Sequence, residues 1–213
     1  MTVETFITGP FQENCYLVID ESARQAAIVD PGDDALVLVA AIRRAGVELQ
    51  AIWLTHAHLD HIGAVAAIER EFDVPIFLHP ADLPLYRNGA RQAEYYGLSF
   101  EQPPDPDVEF RAGMSLALGG LAFEVLHAPG HAPGHVVIHG HGVALVGDCL
   151  FAGSIGRTDL PLADGAELAR SLSCITALPP ETRVLPGHGP ETTIEEELRT
   201  NPYLGGRAPA ANR

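Results

Sequence analysis

The stretch Thr55-His56-Ala57-His58-Leu59-Asp60-His61 decides how this chain is interpreted. It directly follows the short apolar run Ala51–Leu54, which predicts a buried strand. Apolar residues at helical spacing continue from His61 to Phe72 and predict a helix there. The stretch therefore occupies a loop between the end of a strand and the start of a helix, where functional groups are often found.

The polar residues of this loop are of the types that bind divalent metal ions in proteins. In an extended segment His56 and His58 point to the same side, whereas Asp60 and His61 follow the turn. The loop can thus offer imidazole nitrogens to one ion, and a carboxylate with an imidazole to another. A capped helix start with surface histidines is the alternative, but three histidines and an aspartate within six residues favour metal binding.

Further candidate ligands occur singly in the second half of the chain. His131 follows the predicted strand Leu121–Leu126, Asp148 follows an apolar run, and His188 follows the last predicted strand. All three have glycine neighbours, and glycine lets a backbone turn tightly and approach an ion closely. The repeated pattern of an apolar run followed by a polar residue among glycines predicts that these residues join the first loop.

Strands and helices alternate in both halves of the chain, which predicts an α/β fold with sheets packed between helices. The Pro-rich segment Glu101–Asp107 lies between the halves and is expected to be a surface loop. A helix through Ala45 should be capped by Asp33 or Asp34, and further helices are expected over 164–177 and 191–200.

Length and composition limit the classes of function. The chain has 213 residues, 46% of them hydrophobic, which suits one domain spanning 1–213. Its formal net charge of −15 argues against a nucleic-acid partner. No apolar run reaches the roughly 18 residues of a membrane span, and the N-terminus resembles no secretory signal. With three widely spaced cysteines, these features predict a cytoplasmic protein without a membrane partner, and carry no signal for an oligomeric state.

These motifs resemble the metallo-β-lactamase superfamily, and within it the compact glyoxalase II-like (hydroxyacylglutathione hydrolase-like) hydrolases. The matching segments, besides 55–61, are 14–18, 29–32, 129–135, 147–151, 156–161 and 186–190. The resemblance implies an α/β fold of the metallo-β-lactamase type, a four-layer αβ/βα sandwich. Two mixed β-sheets would be flanked by helices, with the site at the edge between the sheets.

The resemblance also implies a role for each ligand candidate. The implied ligands are His56, His58 and His131 for the first metal ion, and Asp60, His61 and His188 for the second, with Asp148 bridging the two. The ions are expected to be zinc, while iron and manganese accept the same ligands. A hydroxide shared by the ions would attack the carbonyl of a small-molecule thioester, with Asp60 and Asp148 as the catalytic carboxylates.

Several neighbouring residues receive other interpretations. Arg157 either forms a salt bridge with Asp159 or binds a substrate carboxylate. Asp30 is expected to brace the site from behind the ligands, and His135 to have a supporting role. Cys149 is expected to be a packed thiol, since adjacent strand residues face opposite sides.

The sequence leaves the substrate and two rival reactions open. Glyoxalase II enzymes carry a tyrosine where this chain has Asp159, and another where it has Gly189-Pro190, so the thioester carrier need not be glutathione. Persulfide dioxygenases share the fold and hold a single iron through the equivalents of His56, His131 or His58, and Asp148. Lactone or β-lactam hydrolysis is the other alternative. A nuclease would need a basic arm or inserted domain, and a binding module would have lost ligands.

Overall fold

The computed structural model describes residues 1–205, which form two mixed six-stranded sheets and one small hairpin. The first sheet comes from the N-terminal half, in the order β1-β2-β3-β4-β5-β6. Its strands are β1 (Thr2–Thr8), β2 (Glu13–Asp20), β3 (Gln25–Val29), β4 (Glu48–Trp53), β5 (Ile76–Leu78) and β6 (Val108–Glu109). The first three strands are antiparallel and the last four are parallel to one another.

The second sheet comes from the C-terminal half, in the order β14-β13-β10-β9-β8-β7. Its strands are β7 (Ser115–Leu118), β8 (Leu121–His127), β9 (Val136–Gly140), β10 (Val143–Gly147), β13 (Arg183–Pro186) and β14 (Thr192–Thr193). Within this sheet only the neighbours β13 and β10 are parallel, and the other pairs are antiparallel. Strands β11 (Leu150–Phe151) and β12 (Ser154–Ile155) form the hairpin.

Within the described part of the chain, seven α-helices cover the outer faces of the sheets or connect their strands. They are α1 (Ala35–Ala45), α2 (Leu59–Ile62), α3 (Val65–Phe72), α4 (Leu83–Arg87), α5 (Gly89–Tyr96), α6 (Gly165–Ile175) and α7 (Ile194–Thr200). Short 3₁₀ helices occur at Pro80–Asp82 and Pro202–Leu204. Within residues 1–205 no helix has the length and apolarity needed to cross a bilayer.

Three apolar clusters show that the layers are stacked as helix, sheet, sheet, helix. Strand β2 alternates between two of them: Cys15 and Leu17 pack under α1 and α3, while Tyr16 and Val18 face the second sheet. Trp53 of the first sheet meets Phe123 of the second edge to face, with ring centroids 5.6 Å apart. The third cluster joins the far side of the second sheet to α6 and α7. The predicted four-layer sandwich is confirmed.

The helix predicted from His61 to Phe72 is wrong in one respect: it is two helices, α2 and α3. The break occurs where the Ala64 amide donates to the carbonyl of Pro31 at 2.9 Å, which takes it out of the helical ladder. A Cβ on Gly63 would lie 2.2 Å from the carbonyl oxygen of Gly32, so the chain leans closely against that loop.

Two predicted helix starts also differ from the structure. Asp34 occupies the N-cap position of α1, but its carboxylate accepts from the Gly9 amide at 2.9 Å and makes no cap hydrogen bond. Helix α7 begins at Ile194 rather than Glu191, because Thr192 and Thr193 pair with β13 and the Thr193 hydroxyl caps the helix. The loop over 101–107 is confirmed, and the helix expected over 164–177 is α6, which the Asp164 carboxylate caps.

Candidate metal centre

The predicted ligand loops meet at one edge of the sandwich. The loop after β4 contributes His56 and His58, and helix α2 directly after it contributes Asp60 and His61. The loops after β8, β10 and β13 contribute His131, Asp148 and His188. Backbone hydrogen bonds connect the two sheets here: the Val136 amide donates to the Thr55 carbonyl at 2.8 Å, and the Asn14 amide donates to the Gly187 carbonyl at 2.7 Å. Residues far apart in sequence are thereby fixed around one centre.

One set of ligand atoms, here called group one, consists of His56, His58 and His131, whose ring nitrogens lie within 4.8 Å of one another. His56 is fully buried and His131 is 2% exposed. The Nδ1 atom of His58 and the Nε2 atom of His131 are 2.9 Å apart. Three imidazoles at this spacing can hold one ion of the size and softness of Zn²⁺ or Fe²⁺.

A second set, here called group two, consists of Asp60, His61 and His188, again within 4.8 Å. Oδ2 of Asp60 is 3.2 Å from Nε2 of His188 and 3.9 Å from Nε2 of His61. The side chains of Asp60 and His188 are 20% and 29% exposed, whereas that of His61 is fully buried. Group two therefore forms the open side of the centre.

Asp148 lies between the two groups. Its Oδ1 is 3.5 Å from Nε2 of His61, and its Oδ2 is 3.5 Å from Nε2 of His131 and 3.7 Å from Nε2 of His188. A Cβ on Gly187 would lie 2.2 Å from Oδ1 of Asp148, so a larger residue here would displace the carboxylate. The carboxylate can contact ions in both groups.

Hydrogen bonds behind the histidines determine which ring nitrogens face the centre. Nδ1 of His131 donates to the Arg157 carbonyl at 2.9 Å, and Nδ1 of His61 donates to Oδ2 of Asp30 at 3.1 Å. The Thr55 hydroxyl donates to Asp30 at 2.6 Å and accepts from Nδ1 of His56 at 3.0 Å. All three rings are then tautomers whose Nε2 lone pair is directed at the centre.

Several atoms at the centre are buried without a hydrogen-bond partner, which tests whether metal ions fit. They are Nε2 of His56, Nε2 of His61 and Oδ1 of Asp148. A buried acceptor without a partner costs free energy, and an ion would supply the missing electrophile. The lone pairs of His58 and His131 face each other and would likewise be satisfied by an ion between them. The residues fit divalent metal ions, so the centre is a metal site.

The groups of the site also shift one another's pKa values. Burial lowers the pKa of His56 well below its usual value, and neighbouring imidazoles lower it further. Burial lowers the pKa of His58 to about 3. Burial opposes charge on His61, but Asp148 and Asp60 raise its pKa well above the usual value. Burial also opposes ionisation of Asp148, yet His61 lowers the pKa of this carboxyl below its usual range. The imidazoles of group one are therefore neutral, whereas the carboxylates around His61 favour a positive charge in group two.

Asp30 lies within 4.8 Å of ligand atoms of His56 and His61, but its oxygens are already used. Oδ1 accepts from the Thr55 amide at 2.7 Å, and Oδ2 accepts from the Thr55 hydroxyl and from His61. The expected bracing position behind the ligands is confirmed.

The other predicted residues lie beside the centre rather than in it. The Arg157 guanidinium pairs with the Asp159 carboxylate at 2.7 and 2.8 Å on the surface, and only its carbonyl reaches the site, through His131. Nε2 of His135 accepts from the Asp148 amide at 3.0 Å, so this histidine supports the site as expected. Cys149 is a packed thiol, as expected, 3.4 Å from the Ala128 carbonyl.

Glu13 was missed by the sequence analysis. This carboxylate is fully buried, accepts from the Thr8 hydroxyl at 2.8 Å, and places Oε1 3.8 Å from Nδ1 of His61. Burial raises its pKa well above the usual value, against the lowering effect of His61. The signal was two polar residues, Glu13 and Asn14, directly before the apolar run Cys15–Ile19.

A cleft of about 210 Å³ opens beside Asp60. The β1–β2 turn, with Phe11 at its tip, forms one wall, and Leu59 and Leu98 contribute apolar surface. Phe11 meets Tyr96 edge to face at 5.0 Å, so aromatic rings border this side of the metal centre. The cleft therefore adjoins the metal centre at Asp60.

Comparison with known proteins gives one consistent result. The family model of the metallo-beta-lactamase superfamily matches residues 8–188. Hydroxyacylglutathione hydrolase GloC of Haemophilus influenzae is 38% identical over 213 residues, covering 98% of this chain and 100% of that protein.

Two solved structures share the fold along nearly the whole chain. The BLEG-1 B3 metallo-beta-lactamase matches with a TM-score of 0.90 and 38% identity, covering 96% of this chain and 100% of that one. TTHA1623, solved in a di-iron-bound form, matches with a TM-score of 0.88 and 46% identity, covering 94% and 100%.

Proposed function

Because the chain belongs to the metallo-beta-lactamase superfamily, we propose that it is a binuclear metal-dependent hydrolase that cleaves a thioester of the hydroxyacylglutathione type. The observation that carries this proposal is the pairing of two ligand groups through Asp148, with buried unpartnered atoms in both. The similarity to GloC over its full length supports the thioester class.

Each ligand group would hold one divalent ion, with Asp148 contacting both. When bound, such ions supply an activated water near neutral pH and polarise the carbonyl that it attacks. Zinc suits the nitrogen-rich ligand set, and the di-iron form of TTHA1623 supports iron as an alternative.

The chain's own residues would orient the reactants. Asp60 on the open side and Asp148 between the two groups offer carboxylate oxygens that can accept a proton or hydrogen bond from the attacking water. The buried braces Asp30 and Glu13 hold His61 in place from behind. A thiolate is a good leaving group, because thiols have a pKa of about 8.5, so no dedicated general acid is required.

The surroundings support a small-molecule substrate. The cleft beside Asp60 offers apolar and aromatic walls to one arm of the thioester. The exposed Arg157 guanidinium can exchange Asp159 for a substrate carboxylate, which is the binding role proposed for it. The net charge of −15 and the free cysteines support a cytoplasmic enzyme without a nucleic-acid partner.

The test combines metal analysis with hydrolysis of S-lactoylglutathione and other thioesters. We expect two ions per chain, hydrolysis that stops with a chelator, and recovery when Zn²⁺ is returned. Metal-loaded protein that is inert toward every thioester would defeat the proposal.

The same samples distinguish the rival reactions. One iron per chain with oxygen uptake on glutathione persulfide would identify a dioxygenase instead. Hydrolysis confined to lactones or β-lactams would keep the metal chemistry and change the substrate class.

A further inference from the structure

Asp82 is a buried carboxylate outside the ligand set. It ends the 3₁₀ helix that follows β5 and is fully buried. No salt bridge within residues 1–205 includes it, so backbone amides alone compensate its burial. Burial raises the pKa of its carboxyl to about 6, although the Gly134 and Ala57 amides lower it. Keeping this side chain in the interior therefore costs free energy.

The two oxygens of Asp82 bind two different ligand loops. Oδ2 accepts from the Ala57 amide at 3.0 Å, and Oδ1 accepts from the Gly134 amide at 2.5 Å. Ala57 separates His56 from His58, and Gly134 follows His131 by three residues. One carboxylate thus connects the two loops that carry all of group one.

Close packing and further hydrogen bonds surround these two contacts of Asp82. A Cβ on Gly134 would lie 2.6 Å from the Asp82 amide nitrogen, so glycine is required for this approach. Gln92 also holds Ala57, since its Nε2 donates to the Ala57 carbonyl at 3.2 Å. Its Oε1 accepts from the Leu59 amide at 3.1 Å.

We propose that Asp82, assisted by Gln92, is a positioning residue that sets the distance between the two loops of group one and thereby its affinity for metal. The inference rests on the proposed metal centre but not on the identity of the substrate. Group two depends on other contacts, such as those of Asn14 with the β13 loop, so the effect should be selective.

The test replaces Asp82 by Asn and measures release of Zn²⁺ from the loaded protein to a chromophoric chelator. Asn keeps the shape but has one acceptor oxygen, so its amide group faces an amide N–H. We expect the group-one ion to be held about 10- to 100-fold more weakly, as is usual for residues behind metal ligands, with the group-two ion unchanged. The group-one step is identified as the one that His131→Ala abolishes.

Asp20→Asn is the matched control. Asp20 is also buried and accepts hydrogen bonds from backbone amides, one of them from the distant Gly120 at 2.7 Å, but it lies at the opposite end of β2 from Glu13. We expect it to lower the melting temperature without changing either release step. Gln92→Ala provides a second variant if Asp82→Asn does not fold, and should weaken the same ion.

Folded Asp82→Asn or Gln92→Ala protein that holds both ions as the wild type does would overturn the proposal. So would equal weakening of both ions, which would indicate a general loss of stability. Wild-type protein inert toward thioesters would defeat the proposed function, and the release measurement would still test Asp82.

Discussion

The two ligand groups of the centre differ in charge and exposure. Group one has three imidazoles, is closed from solvent at His56 and His131, and contains no carboxylate of its own. Group two contains Asp60 and is open at His188, whose side chain is 29% exposed. Behind group two lie two further buried carboxylates, Asp30 and Glu13.

This difference indicates that the two groups attract a cation in different ways. Neutral imidazoles bind a cation only where their lone pairs converge on it. The metal affinity of group one therefore depends on the spacing of its two loops. Carboxylates also attract a cation through their charge. The metal affinity of group two should therefore be less sensitive to small shifts of its ligands. Asp148 contacts both groups and should couple them.

The largest effect is expected for Asp148→Ala. Removing this carboxylate takes a contact from both groups, so we expect loss of the group-two ion and a fall in kcat of more than about 100-fold, beyond the range typical of supporting residues. Metal content after dialysis and thioester hydrolysis are the measurements. Asp105→Ala, which removes an exposed carboxylate paired with Arg87, should change neither. Full activity in Asp148→Ala would show that Asp148 does not bridge.

The pair His131→Ala and His188→Ala separates the groups. Each change removes one imidazole, so we expect His131→Ala to lose the first ion and His188→Ala the second. Because group one has no charge of its own to compensate, His131→Ala should cause the larger drop in affinity. Metal content and chelator titration measure both. Loss of both ions in each variant would mean that the groups form one cooperative site.

A smaller effect that reaches both groups is expected for Asp30→Asn. Asp30 orients His61 directly and His56 through the Thr55 hydroxyl. Its replacement should weaken both ions by about 10- to 100-fold. Chelator titration is the measurement, with Asp20→Asn as control. An effect confined to one ion would show that Thr55 does not transmit the orientation.

The smallest effect is expected for Arg157→Ala. Its guanidinium is exposed and bound only to Asp159, so the melting temperature should not change measurably. If the side chain binds a substrate carboxylate, KM should rise about 10-fold with kcat unchanged, as for loss of uniform binding. Asp159→Asn is the control, since it frees Arg157 and should not raise KM. An unchanged KM in Arg157→Ala would leave Arg157 only its carbonyl contact with His131.

The sequence predicted the residues that converge but not what holds them. His131, Asp148 and His188 could be found because each follows an apolar strand, and strand ends bring distant residues to one edge. Asp82 and Gln92 could not be found this way, because their partners are backbone amides and carbonyls of loops that any residue provides. Arg157 shows the same limit, since it contributes a carbonyl to the site.

The sequence predicted the layers of the fold and the alternation of strands and helices. Several helix boundaries were instead decided by competition between hydrogen-bond partners. The helix break at Gly63-Ala64 arises from a hydrogen bond to Pro31, which periodicity does not report. Asp34 has the residue type of a helix cap, yet its carboxylate binds the Gly9 amide across the loop. Such outcomes depend on which partner lies closer in three dimensions.

The most direct test of two ligand groups joined by Asp148 is anomalous X-ray diffraction from crystals of the metal-loaded protein. We expect two peaks about 3.5–4 Å apart, one among His56, His58 and His131 and one among Asp60, His61 and His188, with Asp148 in contact with both. A single fully occupied peak, or two peaks not bridged by Asp148, would contradict this expectation.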